Sequence, residues 1–205
     1  MSIEPSIEPS TDVDQQRISP LEPPYALDVA ETLRRMMPAD VEPLRLFRTV
    51  AHNPAVLERF RTIGAYILNF GRVEPLDREV LLHRTCARCG CEYEWGVHAV
   101  AFGRPLGMSE EQLRSTVLGG PDDPVWSDRQ RLLVRLADEL HETATVSEPL
   151  WTELSDNWDS AQLIELIATA GFYHLVSFTA NAAGVEPEPY AERFPTPLRS
   201  GNPNR

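Results

Sequence analysis

The chain has 205 residues, 42% of them hydrophobic, and a formal net charge of −12. That length suits one domain with tails, and the apolar fraction is enough for an ordinary buried core. The acidic balance argues against nucleic acid as a partner, because phosphate binding needs a basic face.

The N-terminal sequence Met1-Ser2-Ile3-Glu4-Pro5 has neither a basic segment nor an apolar stretch, so no secretory signal is expected. No uninterrupted apolar run of membrane-spanning length is seen, and no membrane partner is expected. The three cysteines, Cys86, Cys89 and Cys91, fall within six positions rather than forming a spread disulfide framework. A cytoplasmic, reducing location follows as the expectation.

Residues 1–24 are polar and proline-rich, and Ser2-Ile3-Glu4-Pro5 repeats as Ser6-Ile7-Glu8-Pro9. Such a segment buries too little apolar surface to offset its ordering entropy and reads as a disordered or extended arm. Residues 25–185 read as a helical domain. A first helix is expected over Tyr25–Met37, with Leu27, Val29, Ala30 and Leu33 apolar, and a short second over Pro43–Ala51. Pro54 fits the first turn of a third, whose Val56, Leu57, Phe60, Ile63 and Ile67 follow helical spacing. Asp77 is read as the cap of a fourth, which Gly90 breaks. A fifth is expected from about Cys91 to Phe102, ending at Gly103. Ser109 with Glu111 and Gln112 starts a sixth, close to a capping box. Ser127 opens a seventh, with Leu132, Leu133, Leu136, Ala137 and Leu140 on one face. A short eighth covers Ser147–Asn157, and Ser160 caps a long ninth over Ala161–Ala183. Strand alternation is absent, so the fold class is all-α. Residues 186–205 carry Pro187, Pro189, Pro195, Pro197 and Pro203, and read as an extended tail.

The chemistry concentrates between Glu79 and His98. Glu79 is placed in the first turn of its helix, where a carboxylate meets the macrodipole favourably. His83 and Cys86 follow at i+4 and i+7 on the same face. Cys91 lies near a helix start, a position that favours the thiolate. His98 is seven residues further on, about 10 Å along the axis, with Glu94 between them as a bridge. An acid–base group of Glu79, Glu94 and His98 is thus plausible even with an inert Cys91, since imidazole suits proton transfer near neutrality. Tyr93 and Trp95 are either core packing or the wall of a pocket for a flat substrate, with His83 beside them. Tyr173, Ser177 and Asn181 form a polar stripe on the last helix that faces either the site or a subunit contact. His83, Cys86, Cys89 and Cys91 offer four ligand types that suit tetrahedral zinc, but a helix spreads them around its axis, so no metal and no cofactor is expected.

The order Asp77-Arg78-Glu79, Cys91, Tyr93-Glu94-Trp95 and His98 resembles the carboxymuconolactone decarboxylase superfamily, which includes the alkylhydroperoxidase D proteins. Gln162-Leu163-Ile164-Glu165-Leu166, Gly171-Phe172-Tyr173, Ser177 and Asn181 resemble that family's closing helix, so the likeness runs from Leu46 to Val185. It implies a small helical enzyme that assembles as a homo-oligomer, trimer or hexamer, and acts on a small molecule. It implies catalytic roles for Glu79, Cys91 and His98. In the hydroperoxidase branch a second cysteine resolves the oxidised first; here Glu94 holds that place. Two readings stay open for an enzyme: acid–base chemistry on a small carboxylate or lactone, or single-cysteine hydroperoxide reduction through Cys91. The alternative is a non-catalytic oligomeric binding or scaffold protein with the same fold.

Overall fold

The computed structural model of the chain describes residues 16–38 and 40–197. The Ser-Ile-Glu-Pro repeat and Pro203 lie outside the described residues. All regular structure among the described residues is helical: α1 (Leu27–Met36), α2 (Arg45–Val50), α3 (Pro54–Asn69), α4 (Pro75–Arg88), α5 (Glu92–His98), a π-helical turn (Ala99–Gly103), α6 (Glu110–Leu118), α7 (Asp128–Thr143), α8 (Glu148–Asn157) and α9 (Ser160–Ala183).

Helix α4 is the axis of the bundle, packing on α7, α9, α5 and α6. Its residues from Asp77 to Cys86 are buried without interruption, so it has no solvent face. A helix buried all round must satisfy its own polar side chains internally. Arg84 does so with a two-point bond to Asp138 of α7, at 2.6 and 2.9 Å, and donates to the carbonyls of Thr116 and Gly119.

Helix α4 starts two residues before Asp77, with Glu74 at the N-cap and Pro75 at the first position. Glu79 therefore falls in the second turn, beyond the favourable end of the macrodipole that the sequence suggested. The C-terminus matches expectation. Gly90 has φ +61°, its N–H bonds Ala87 O, and Cys91 N–H bonds Cys86 O. This pair of bonds is a Schellman motif, which a Cβ at Gly90 would strain. It turns the chain sharply and makes Cys91 the N-cap residue of α5.

Helices α6 and α7 begin with full capping boxes, Ser109 with Gln112 and Ser127 with Gln130. Helix α9 is capped by Asp159 rather than Ser160, again in a box with Gln162. By length and composition α9 could cross a membrane, yet half of it is buried inside the bundle. Its buried Glu165 accepts the backbone N–H groups of Arg72 and Val73 at 2.8 and 3.0 Å, fixing the turn before α4.

The segments flanking the helical domain are bonded to it where they are described. Arg17 and Ile18 N–H groups reach Ala183 O, and Leu21 N–H reaches Arg48 O. After α9 the chain crosses α5: Glu188 accepts from Tyr93 and from Arg45 N–H, both at 2.6 Å, and Glu192 N–H bonds Gly96 O.

Candidate active site

Nineteen residues separate Glu79 from His98, and the antiparallel return of α5 along α4 brings them together. His98 Nδ1 donates to Glu79 Oε2 at 2.9 Å. The other carboxylate oxygen, Oε1, accepts from Arg78 at 3.2 Å. On the far side of the imidazole, Nε2 is 3.3 Å from Glu94 Oε1 and 3.4 Å from the Tyr173 hydroxyl. Glu79 has no exposed surface, and His98 and Glu94 are buried.

Electrostatics follow from that arrangement. Burial works against the charged imidazolium, but Glu79 and Glu94 outweigh it and hold the pKa of His98 up at about 9. Burial likewise works against the Glu79 carboxylate, but His98, His83 and Arg78 together bring its pKa below the usual range. At neutral pH the pair is an imidazolium beside a carboxylate. Glu79, read from the sequence as part of an acid–base group with Glu94 and His98, is the carboxylate that hydrogen-bonds His98 in the structure.

The π-helical turn gives the site its wall. It re-registers the chain after His98 so that Phe102 stacks on the imidazole, centroids 4.7 Å apart and planes at 28°. π-Turns inside helices recur at functional sites. The sequence reading ran α5 straight through to Phe102; no residue pattern marks the extra backbone step. Tyr173 meets the same ring edge-on at 5.3 Å.

His98, Glu94 and Tyr173 all line a cavity of about 370 Å³. Its other walls are largely apolar, with Leu44, Leu46 and Phe47 before and in α2, Phe60 from α3, and Phe172 and Val176 from α9. Arg35, Arg61 and Asn69 add polar groups from α1 and α3. Glu94 Oε2 is buried and has no hydrogen-bond partner, while Oε1 lies 3.3 Å from His98 Nε2.

The remaining residues expected at the site lie elsewhere. Cys91 is fully buried outside the cavity lining, and burial pushes its thiol up to about 12. The thiolate expected from a helix N-terminus is overridden, because desolvation exceeds the effect of the α5 amides. Cys86, Cys89 and Cys91 are all free thiols. His83 is also fully buried, its Nδ1 donating to Glu79 O at 2.8 Å; burial lowers its pKa to about 4 and keeps it neutral. Tyr93 and Trp95, expected as substrate contacts together with His83, do not line the cavity either. Tyr93 OH bridges Leu46 N–H and Glu188, and Trp95 Nε1 donates to Thr116 Oγ1 under Phe194. Their polar tips are consumed by structural bonds. The stripe on α9 divides: Tyr173 faces the site, Ser177 is buried without a bonded partner, and Asn181 donates to Cys89 O at 2.8 Å.

No family model and no curated protein matches the chain. Solved structures do. The debrominase Bmp8 superposes with a TM-score of 0.72 at 14% identity, over 86% of this chain and 94% of its own. An uncharacterised peroxidase-related protein from Silicibacter sp. TM1040 gives 0.72 at 16% identity, over 85% and 94%. A protein of unknown function from Agrobacterium tumefaciens, suggested to be the antioxidant defence protein AhpD, gives 0.62 at 16% identity, over 68% and 94%. The chain has the alkylhydroperoxidase D-like fold. Within that fold, the Glu79–His98 pair spans the two central helices, and the cavity opens on the face of His98 turned from Glu79.

Proposed function

We propose that the chain is an acid–base enzyme that moves a proton to or from carbon in a small cyclic or aromatic carboxylate or lactone. The observation that carries this reading is the cavity's polar set: a protonated imidazole whose Nε2 lies beside Glu94 and Tyr173, within largely apolar walls. An apolar cavity with a few convergent polar groups, one of strongly shifted pKa, is the usual form of a small-molecule site.

In this reading Glu94 accepts a proton from the substrate and His98 donates one from Nε2 to the carbon or oxygen that gains electron density. Where carbon dioxide leaves, the electron pair left on carbon takes the His98 proton, and Glu94 or water restores it. Glu79 is a positioning residue that keeps the imidazole charged. Arg35 and Arg61 supply positive charge for an anionic substrate, although Glu58 already engages both.

A thiol route has weaker support, because Cys91 neither lines the cavity nor ionises near neutrality. Bmp8 is a debrominase whose Cys-to-Ala variant was crystallised with 2,3,4-tribromopyrrole. A small flat ring of that kind suits this cavity by size and by its aromatic lining. The exposed Ile164, Leu175 and Phe178 on α9 support assembly as a homo-oligomer, trimer or hexamer. Three free cysteines support a reducing, cytoplasmic setting.

The test is proton exchange. The full chain, incubated in D₂O with a panel of small cyclic acids, lactones and halogenated heteroaromatics, should catalyse C–H exchange or carbon dioxide release for at least one class. Glu94→Gln should abolish it. Peroxide turnover that survives Glu94→Gln and is lost in Cys91→Ser would overturn the reading.

A further inference from the structure

Outside the cavity, α4, α7 and α9 bring a second set of chemically active side chains together. Cys89 caps the C-terminus of α4, His141 sits in the last turn of α7, and His174 lies midway along α9. Cys89 Sγ is 3.8 Å from His141 Nδ1, and that nitrogen is 3.1 Å from His174 Nε2. All three atoms lie within 4.8 Å of one another.

We propose that Cys89, His141 and His174 form a metal site for zinc or a similar late divalent cation, with a solvent molecule as the fourth ligand. Two of the three edges between the ligand atoms match a tetrahedral shell. Zinc–nitrogen bonds of about 2.0–2.1 Å and a zinc–sulfur bond of about 2.3 Å set N–N and S–N edges near 3.3 and 3.6 Å. The observed 3.1 and 3.8 Å fall close to both.

The tautomers fit as well. His174 Nδ1 donates to Ala170 O at 2.8 Å, which leaves the lone pair on Nε2, aimed at the other two ligands. A ligand histidine held through its second nitrogen by a backbone carbonyl is the common arrangement around bound metals. Asn181 grips the Cys89 carbonyl from α9, so the sulfur is anchored to the helix that carries His174. The three residues are half-buried, which leaves a path for the ion and for the solvent ligand. Two stacked imidazoles, 5.3 Å apart with facing nitrogens, need either a shared proton or an ion between them. The thiol beside them favours the ion, since thiolate and imidazole together match zinc.

The surrounding charges are balanced. Arg88 disfavours a cation near His141, while Glu142 and Asp138 favour one and are themselves bonded to Arg88 at 2.7 and 3.5 Å. A cysteine ligates as the thiolate, so the ion displaces a proton and its binding strengthens as pH rises. The set differs from the His-x2-Cys-x2-Cys-x-Cys run legible in the sequence: of those four, only Cys89 takes part.

Cobalt is the direct probe. The full chain, stripped with a chelator, should take up one cobalt ion and show both a thiolate-to-cobalt charge-transfer band and the visible bands of tetrahedral cobalt. One equivalent of zinc should displace it. Cys89→Ser should remove the charge-transfer band, and His141→Ala and His174→Ala should each weaken zinc binding at least tenfold, with helical circular dichroism retained. His52→Ala, a surface histidine elsewhere, should change nothing. Failure of the unaltered protein to bind a single cobalt overturns the proposal whatever the variants do. So does a charge-transfer band that persists in Cys89→Ser, which would assign the sulfur to Cys86 or Cys91. Unchanged zinc affinity in the histidine variants would reduce the cluster to a hydrogen-bonded histidine pair.

Discussion

Glu79 and His98 form a buried, hydrogen-bonded ion pair, 2.9 Å between Oε2 and Nδ1, at the contact of the two central helices. Both partners are buried, and each holds the other in its charged state. Removing the carboxylate charge leaves His98 with Glu94 as its one remaining counter-charge, and leaves Arg78 with carbonyl acceptors but no anion beside it. Glu79→Gln should therefore lower the His98 pKa from about 9, and should destabilise the fold by about 3–5 kcal/mol. Histidine titration by NMR and chemical denaturation measure the two effects.

The pair also fixes a pH window for stability. His98 has its pKa raised, so its contribution is complete below its ordinary value of 6.5 and is lost as pH rises through about 9. Glu79 has its pKa lowered, so its contribution is present above 4.5 and is lost as pH falls through the lower folded value. Thermal unfolding should show a plateau from about pH 5 to pH 6.5 and a decline between about pH 6.5 and pH 9 that is attenuated in Glu79→Gln. An undiminished decline in that variant would place the alkaline transition on another group.

Glu94→Gln keeps the shape of the side chain and removes the carboxylate charge beside His98 Nε2. A general base of this kind is worth about 10²- to 10⁴-fold in rate. For the substrate class that passes the exchange test, kcat should fall by that order while KM moves far less. Equal loss in both would mean that Glu94 binds substrate without moving its proton.

The three thiols should differ in reactivity. Cys86 and Cys91 are fully buried, with pKa values pushed far up, whereas Cys89 is half-buried. A thiol reagent at neutral pH should modify one cysteine in the native protein and three after denaturation, and Cys91→Ser should leave the native count unchanged. A native count that falls in Cys91→Ser would restore the thiol route.

The segment after α9 should be displaced by one methyl group. Gly96 packs its α-carbon against the backbone of Glu192, and a Cβ there overlaps the Glu192 carbonyl. Gly96→Ala should free the crossing of 186–194 over α5, cost about 1–3 kcal/mol, and speed proteolysis of the tail. Tyr93→Phe, which removes the 2.6 Å bond to Glu188 and the 3.1 Å bond from Leu46 N–H, should produce a milder form of the same effect.

By itself the sequence determined the all-helical class, the break at Gly90, the caps at Ser109 and Ser127, and the order in which Glu79, Glu94 and His98 occur. These are short-range properties, set by backbone sterics, capping bonds and periodicity within a few residues. Tertiary structure decided what each group does. Thermal and chemical roles turned on burial, which no local pattern records: desolvation silenced Cys91 and neutralised His83, while opposed charges kept His98 protonated. The π-turn that stacks Phe102 on His98 and the convergence of Cys89, His141 and His174 from three helices are likewise long-range. Residues 52 and 33 positions apart meet there only because α7 and α9 pack on the same central helix, and the relative rotation of packed helices is fixed by the whole core rather than by the spacing of any one segment.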